Sequence, residues 1–255
     1  MNHQPLTPNP QAEPADALQR PMQRRSFLRY TSAAVAVTSL ALAGCDDDNN
    51  DPAETVDVGS GDVGVLNYAY ALEQLEAAFY TAVLGGNYYK GLAAGSAEKQ
   101  VLDDLALHEQ IHADFFRKAI PANGGTLIKN LEPDFNSIDF SSRDSVLKAA
   151  RDFEDLGVAA YNGAGRYLTN PLFLSLAGKI VSVEARHAAL IRDLLAYNTF
   201  VAPEVVDLFT PTSATSAPGE GTGTGLERSK TPSQVVDIAN QFLREGSKLR
   251  ASSLG

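Results

Sequence analysis

The chain of 255 residues contains no tryptophan, two methionines, a single cysteine and four histidines. One cysteine excludes a disulfide framework and leaves the Cys45 thiol without a partner in the chain. Long hydrophobic runs are missing too. The apolar stretch from Tyr30 to Ala41 is roughly a dozen residues, well under the ~20 that a bilayer-spanning helix needs. Positive charge is scarce: 21 Lys and Arg stand against 31 Asp and Glu. Beyond residue 44 the chain keeps 17 basic and 29 acidic residues, a net charge near −12. Such a balance argues against nucleic acid or an anionic lipid surface as partner. It is compatible with cation binding without showing it.

Two stretches stand apart from any fold. The N-terminus reads Gln23-Arg24-Arg25-Ser26-Phe27-Leu28-Arg29, followed by the apolar run and by Leu42-Ala43-Gly44-Cys45. A charged region, a short apolar region and a small-residue end make an export signal over residues 1–44. The arginine pair resembles the twin-arginine signal, and the Leu-Ala-Gly-Cys ending resembles a bacterial lipobox that would leave Cys45 as a lipid-modified first residue. The bland alternative is a chance arginine pair and an ordinary core cysteine. However, Cys45 directly precedes Asp46-Asp47-Asp48-Asn49-Asn50, where a tether begins. Residues 45–61 are accordingly expected to be an acidic flexible tether. An acyl anchor would hold the protein on a membrane surface, periplasmic or cell-surface, after export across a bacterial inner membrane.

Residues 62–202 are helical in pattern. The first helix is expected over Val63–Leu84, with Asp62 as N-cap, Gly85-Gly86 as its stop and an inward stripe through Leu66, Tyr70, Glu73, Ala77, Tyr80 and Leu84. The second is expected over Ala97–Ile120, between a capping Ser96 and Pro121. The third follows Ser141-Ser142-Arg143-Asp144, a variant capping box, and runs to about Tyr167; the fourth opens on Asn170-Pro171 and ends near Phe200. Short turns join helices one to two and three to four. About 20 residues, Pro121 to Ser141, separate helices two and three. At ~3.3 Å per residue that segment can travel the length of a bundle. Residues 203–230, rich in Thr, Ser, Pro and Gly, are expected to form a flexible linker. Residues 231–255 hold a short C-terminal helix opened by the capping box Thr231-Pro232-Ser233-Gln234 and running to about Glu245, with Val235, Ile238 and Phe242 on one face.

Histidine is rare, so its positions carry information. Beyond the leader only His108, His112 and His187 remain. His112 follows Glu109 by three residues and His187 follows Glu184 by three, so each pair presents an oxygen and a nitrogen on one helix face. Helices one and three each carry an inward glutamate, Glu73 and Glu154, with a tyrosine seven residues on, Tyr80 and Tyr161. The two halves repeat one pattern: helix with Glu…Tyr, turn, helix with Glu-x-x-His. Four carboxylates neutralise the charge of two divalent ions in an apolar bundle, and oxygen donors with one imidazole per ion suit iron or manganese.

This is the ligand set of the ferritin-like superfamily of di-iron and di-manganese carboxylate proteins, and the chain resembles that superfamily over about residues 62–200. The segment Ala71-Leu72-Glu73-Gln74-Leu75-Glu76-Ala77-Ala78-Phe79-Tyr80 looks especially like bacterial ferritin-like proteins that include the desiccation-related group. The resemblance implies an all-α fold, an antiparallel four-helix bundle with one long crossover between helices two and three, holding two divalent ions, iron ahead of manganese. It implies that Glu109 and Glu184 bridge, that Glu73 and His112 complete one ion, that Glu154 and His187 complete the other, and that Tyr80 and Tyr161 orient the carboxylates. Glu76, on the edge of the same face, is an alternative ligand to Glu73. Asp152 and Asp155, flanking Glu154, read as solvated.

The function this implies is oxidoreductase chemistry of the ferroxidase or peroxide-linked type, with metal ions and oxygen or peroxide as partners and no catalytic residue beyond the metal site. The alternative is a non-enzymatic stress or desiccation-associated bundle with a structural metal. A minor alternative is a zinc metalloprotease, since His108-Glu109-Gln110-Ile111-His112 is literally His-Glu-x-x-His. That reading lacks a third ligand where metzincins carry one and leaves Glu73, Glu154, Glu184 and His187 unexplained; His108 is then an outer or partly exposed residue. A lipid anchor and long ends favour a dimer over a closed shell.

Overall fold

Apolar residues recur along the chain with helical spacing, and six α-helices result among the described residues. A computed structural model describes residues 55–207 and 223–254. The expected export signal, Cys45 and the centre of the linker lie outside the described residues. The helices are α1 (Gly61–Gly85), α2 (Asn87–Gly91), α3 (Ala97–Ala122), α4 (Arg143–Ala164) and α5 (Pro171–Leu195), and a sixth, α6 (Pro232–Ala239), lies near the C-terminus. Helix α1 packs along α3, and α4 along α5. The four long helices and the crossover from 123 to 142 make the expected all-α bundle. Among the described residues no helix is long and apolar enough to cross a membrane.

Helix α1 is buried on nearly every side, as befits the central element of a bundle. Two of its polar side chains hold the crossover. Asn67 donates to the Thr126 carbonyl and accepts from the Ile128 amide, and Gln74 accepts from the Leu131 amide. The crossover is thereby tied along the helix, which explains how a 20-residue connection stays ordered.

The expected helix ends shift by a few residues. Ser60, not Asp62, stands at the N-terminus of α1. The Asp62 carboxylate instead accepts from the Thr169 and Asn170 amides at 2.7 and 3.0 Å, tying the start of α1 to the turn between α4 and α5. Ser142 caps α4 by accepting from the Ser145 amide. Pro121 falls inside the last turn of α3, and α5 ends at Leu195, short of Phe200. The turn between helices one and two contains α2, which is too short to leave a periodic signal.

Two flexible expectations are corrected. The tether does not run to residue 61: Val56–Asp57 form strand β1, paired in parallel with β2, Leu249–Arg250. Val56 and Val58 are buried there. A two-residue strand whose partner lies almost two hundred residues away gives no local signal. The linker likewise narrows, since the Asp207 amide donates to the Leu226 carbonyl and Val206 bridges Glu227. The C-terminal helix stops at Ala239 and continues as a 3-10 turn to Phe242. Its capping box is present, with the Thr231 and Gln234 side chains bonded reciprocally to each other's backbone.

This C-terminal segment docks on the bundle. The Asp134 amide donates to the Phe242 carbonyl, Arg244 to Glu132, and Lys230 to Ala159. The close approach of Lys230 to α4 depends on Gly163, where a Cβ would lie 1.8 Å from the Lys230 carbonyl oxygen. Backbone has little freedom to yield. Gly163→Ala is therefore expected to destabilise the fold by about 1–3 kcal/mol despite alanine's better helix propensity, as read from the urea midpoint.

Candidate metal centre

Each of the four long helices sends one glutamate inward at the same level of the bundle. Glu73, Glu109, Glu154 and Glu184 are all 0% exposed, a costly placement for carboxylates that have no cation between them. His112 and His187 enter from α3 and α5, each one turn beyond its glutamate. His112 Nδ1 lies 2.9 Å from Glu184 Oε1 and 3.3 Å from both Glu73 and Glu109. His187 Nδ1 lies 2.8 Å from Glu109 Oε1 and 3.4 Å from Glu154. The sequence-derived six are thus brought together without exception.

They fall into two overlapping groups. Glu73, Glu109, His112 and Glu184 offer ligand atoms within 4.8 Å of one another, as do Glu109, Glu154, Glu184 and His187. Glu109 and Glu184 belong to both groups, each of which could hold a cation. The donors are crowded yet unsatisfied: Glu73 Oε2, Glu109 Oε1, Glu154 Oε2, both Glu184 oxygens and His187 Nδ1 are buried without a hydrogen-bond partner. Buried polar atoms are rarely left so. Lone pairs converging on two common points fit metal ions, and the residues present are those that could hold them.

The tyrosines interlock the halves. Tyr80 of α1 donates to Glu154 of α4 at 2.5 Å, and Tyr161 of α4 donates to Glu73 of α1. Each terminal carboxylate is thus oriented by the tyrosine of the opposite helix while its second oxygen remains available. Burial, together with the neighbouring carboxylates, holds both phenols well above their ordinary range, so they stay protonated donors. His108 is exposed, belongs to neither group, and places its Nδ1 2.9 Å from His187 Nε2. Among the described residues His108 shares no candidate metal group with His112, the pairing a zinc protease would require.

The chain matches the family model described as ferritin-like domain over residues 61–197. It belongs to the ferritin-like domain family. No curated protein matches it significantly. Membership agrees with the bundle and with the buried carboxylate–histidine cluster that ferritin-like proteins use for metals. Two features of this ferritin-like chain escaped the sequence reading. Glu76 is not at the edge of the face but buried, 3% exposed. Asp155 is not solvated: it forms a two-pronged pair with the buried Arg192 at 2.6 and 2.9 Å, whereas Asp152 stays exposed beside Arg151. An arginine on α5 that pairs across helices leaves no mark in the spacing of α4.

The electrostatics give the centre a measurable pH signature. Burial raises Glu73 to about 7, and burial with mutual repulsion lifts Glu184 well above the carboxylate range. Burial opposes charge on the imidazoles too, but Glu109, Glu184 and Glu73 outweigh it at His112, which is pushed up to about 12. The Glu109 and Glu154 carboxylates likewise push His187 up to about 10. These groups bind protons more tightly folded than unfolded, so the stability they contribute is present at low pH and is lost as pH rises through their folded values. Glu109, where the proximity of both imidazoles overcomes burial, is held to about 2 and acts oppositely, but only below pH 4.5. The chelator-treated protein is therefore expected to melt highest near pH 5 and progressively lower towards pH 8. A saturating divalent ion, which needs the same sites deprotonated, should shrink or invert that slope in thermal melts.

Proposed function

We propose that Glu73, Glu109, His112, Glu154, Glu184 and His187 ligate two divalent ions, iron ahead of manganese, with Glu109 and Glu184 as bridges. The protein then acts as an exported oxidoreductase of the ferroxidase or peroxide-linked type. The observation that carries this reading is the sharing of Glu109 and Glu184 between two complete ligand groups. A merely structural cation would require only one. Oxygen-rich donors with one imidazole per ion favour iron or manganese over zinc or copper. When bound, such a pair supplies redox chemistry towards oxygen or peroxide.

The chain's own residues supply the rest. Tyr80 and Tyr161 hold Glu154 and Glu73 in place. Phe79, Leu75, Leu102 and Ile191, all buried, contribute to the apolar core in which these charges are held. His108 fixes the outer nitrogen of His187 and thereby its ring orientation. In this reading residues 1–44 direct export and Cys45 carries the anchor.

The test is metal content followed by turnover. Two ions per chain after gentle purification, and a rapid optical change when oxygen or peroxide meets the anaerobically Fe(II)-loaded protein, are expected. Ions bound without turnover would leave a structural metal site. No ion in the purified protein and none taken up by the metal-free protein would overturn the metal centre altogether.

A further inference from the structure

The internal repeat is broken at one position, and the break lies against the centre. Glu73, Glu76 and Tyr80 of α1 correspond in spacing to Glu154, Gly157 and Tyr161 of α4. One half carries a carboxylate where the other carries no side chain. Glu76 is 3% exposed, and among the described residues none forms a hydrogen bond with its carboxylate. The charges that act on it are, in order, Glu184, Glu109, Glu73 and Glu154, the four carboxylates of the centre. A Cβ built on Gly157 would stand 3.0 Å from Glu76 Oε1 and 3.5 Å from Glu184 Oε2. Glycine therefore opens the space that Glu76 occupies, and that space adjoins a bridging ligand.

Resting on the two-ion reading above, we infer that Glu76 is a fifth carboxylate ligand, admitted by Gly157, and that it joins the ion held by Glu154 and His187. The side of the centre follows from Glu184. Its Oε1 faces His112 at 2.9 Å, whereas its Oε2, the oxygen that like Glu76 Oε1 faces Gly157, lies 3.9 Å from His187. As it stands Glu76 is outside both four-residue groups, and the missing side chain of Gly157 is what lets its carboxylate lie this close to them. A fifth buried carboxylate with no polar partner is costly to the fold, and a cation is the partner that removes the cost. The first hairpin also supplies His108 to His187 where the repeat places Val183 on α5. Both additions fall on one side, so the two ion positions are chemically unequal.

The experiment is an anaerobic Co(II) titration of the full chain, followed by visible absorption and by metal analysis, with folding checked by circular dichroism. Wild type should bind two ions. Glu76→Gln, which keeps shape and removes charge, should keep one ion at wild-type affinity and weaken the other at least ~10-fold, with a changed absorption envelope. Gly157→Ala, which fills the opening while leaving Glu76 intact, should weaken the same ion and serves if Glu76→Gln does not fold. In a His187→Gln background Glu76→Gln should add little, whereas in His112→Gln it should remove the remaining tight ion. Two ions at wild-type affinity in both single variants would overturn the role of Glu76 while leaving the two-ion centre intact. Loss of both ions would overturn its assignment to one position. A wild-type chain that takes up no Co(II) would overturn both readings.

Discussion

Glu109→Ala is expected to leave the protein with no tightly bound metal, whereas Glu73→Ala should leave it with one ion of two. The difference follows from position. Glu109 supplies an oxygen to both ligand groups and Glu73 to one. Glu109 is also the residue on which both imidazoles converge, at 3.3 Å from His112 and 2.8 Å from His187. Their proximity keeps it ionised, held to about 2, so it is the one carboxylate of the set that needs no proton removed before an ion arrives. An outer partner of a metal ligand costs about 10–100-fold in affinity when removed, and a bridging ligand lost from two ions at once should exceed that for each. A ligand at 100 times its Kd stabilises a fold by about 2.7 kcal/mol. The rise in melting temperature on adding Fe(II) or Mn(II) anaerobically should therefore be large in wild type, reduced in Glu73→Ala and absent in Glu109→Ala. Metal analysis of the same samples should read two, one and zero. Equal metal content in Glu109→Ala and Glu73→Ala would show that the two carboxylates are equivalent and that no bridge exists.

The buried carboxylate–histidine cluster was legible because its pattern is written twice. A glutamate and a tyrosine seven residues apart, then Glu-x-x-His, recur in two hairpins, and spacing on a helix translates directly into a shared face. The same logic failed where spacing does not decide burial. Glu76 stands three residues from Glu73 and was placed at the edge of the stripe, yet α1 is buried on almost every side, so it has no edge. The burial of Glu76 depends on Gly157, a residue on another helix, and no periodicity within α1 encodes that. Asp62 looked like an N-cap because a short acid before an apolar run usually is one. Its actual partners, the Thr169 and Asn170 amides, are more than a hundred residues away. Pairing of Val56 with Leu249 lies beyond local reasoning for the same cause. Composition marked the ends of the chain as flexible, but composition does not report what a distant segment covers.

That coverage sets the largest stability effect expected here. Ending the chain after Lys230 should lower its stability by more than about 3 kcal/mol, the cost of deleting a single large core side chain. The removed residues include Val235, Val236, Leu243, Leu249 and Leu254, all 5% exposed or less. Phe242 packs against Phe153 as a tilted pair with ring centroids 4.8 Å apart, so truncation uncovers an aromatic cluster in which Phe153 also packs on Phe79 and Phe135. It also removes the backbone partners of Glu132 and Asp134 in the crossover and the whole of β2, leaving Val56 and Val58 unsupported. At about 2–4 °C per kcal/mol for a chain of this size, the melting temperature should fall by roughly 10 °C. Leu243→Ala, a milder version, should reproduce part of the fall. The six residues proposed as metal ligands come from α1, α3, α4 and α5 and none from the removed segment, so ions should still bind the truncated chain below its melting point. The C-terminal segment then holds the crossover and α4 in place around a centre it does not touch. Unchanged melting after truncation would mean that the bundle carries its own stability and that the docked segment is an appendage.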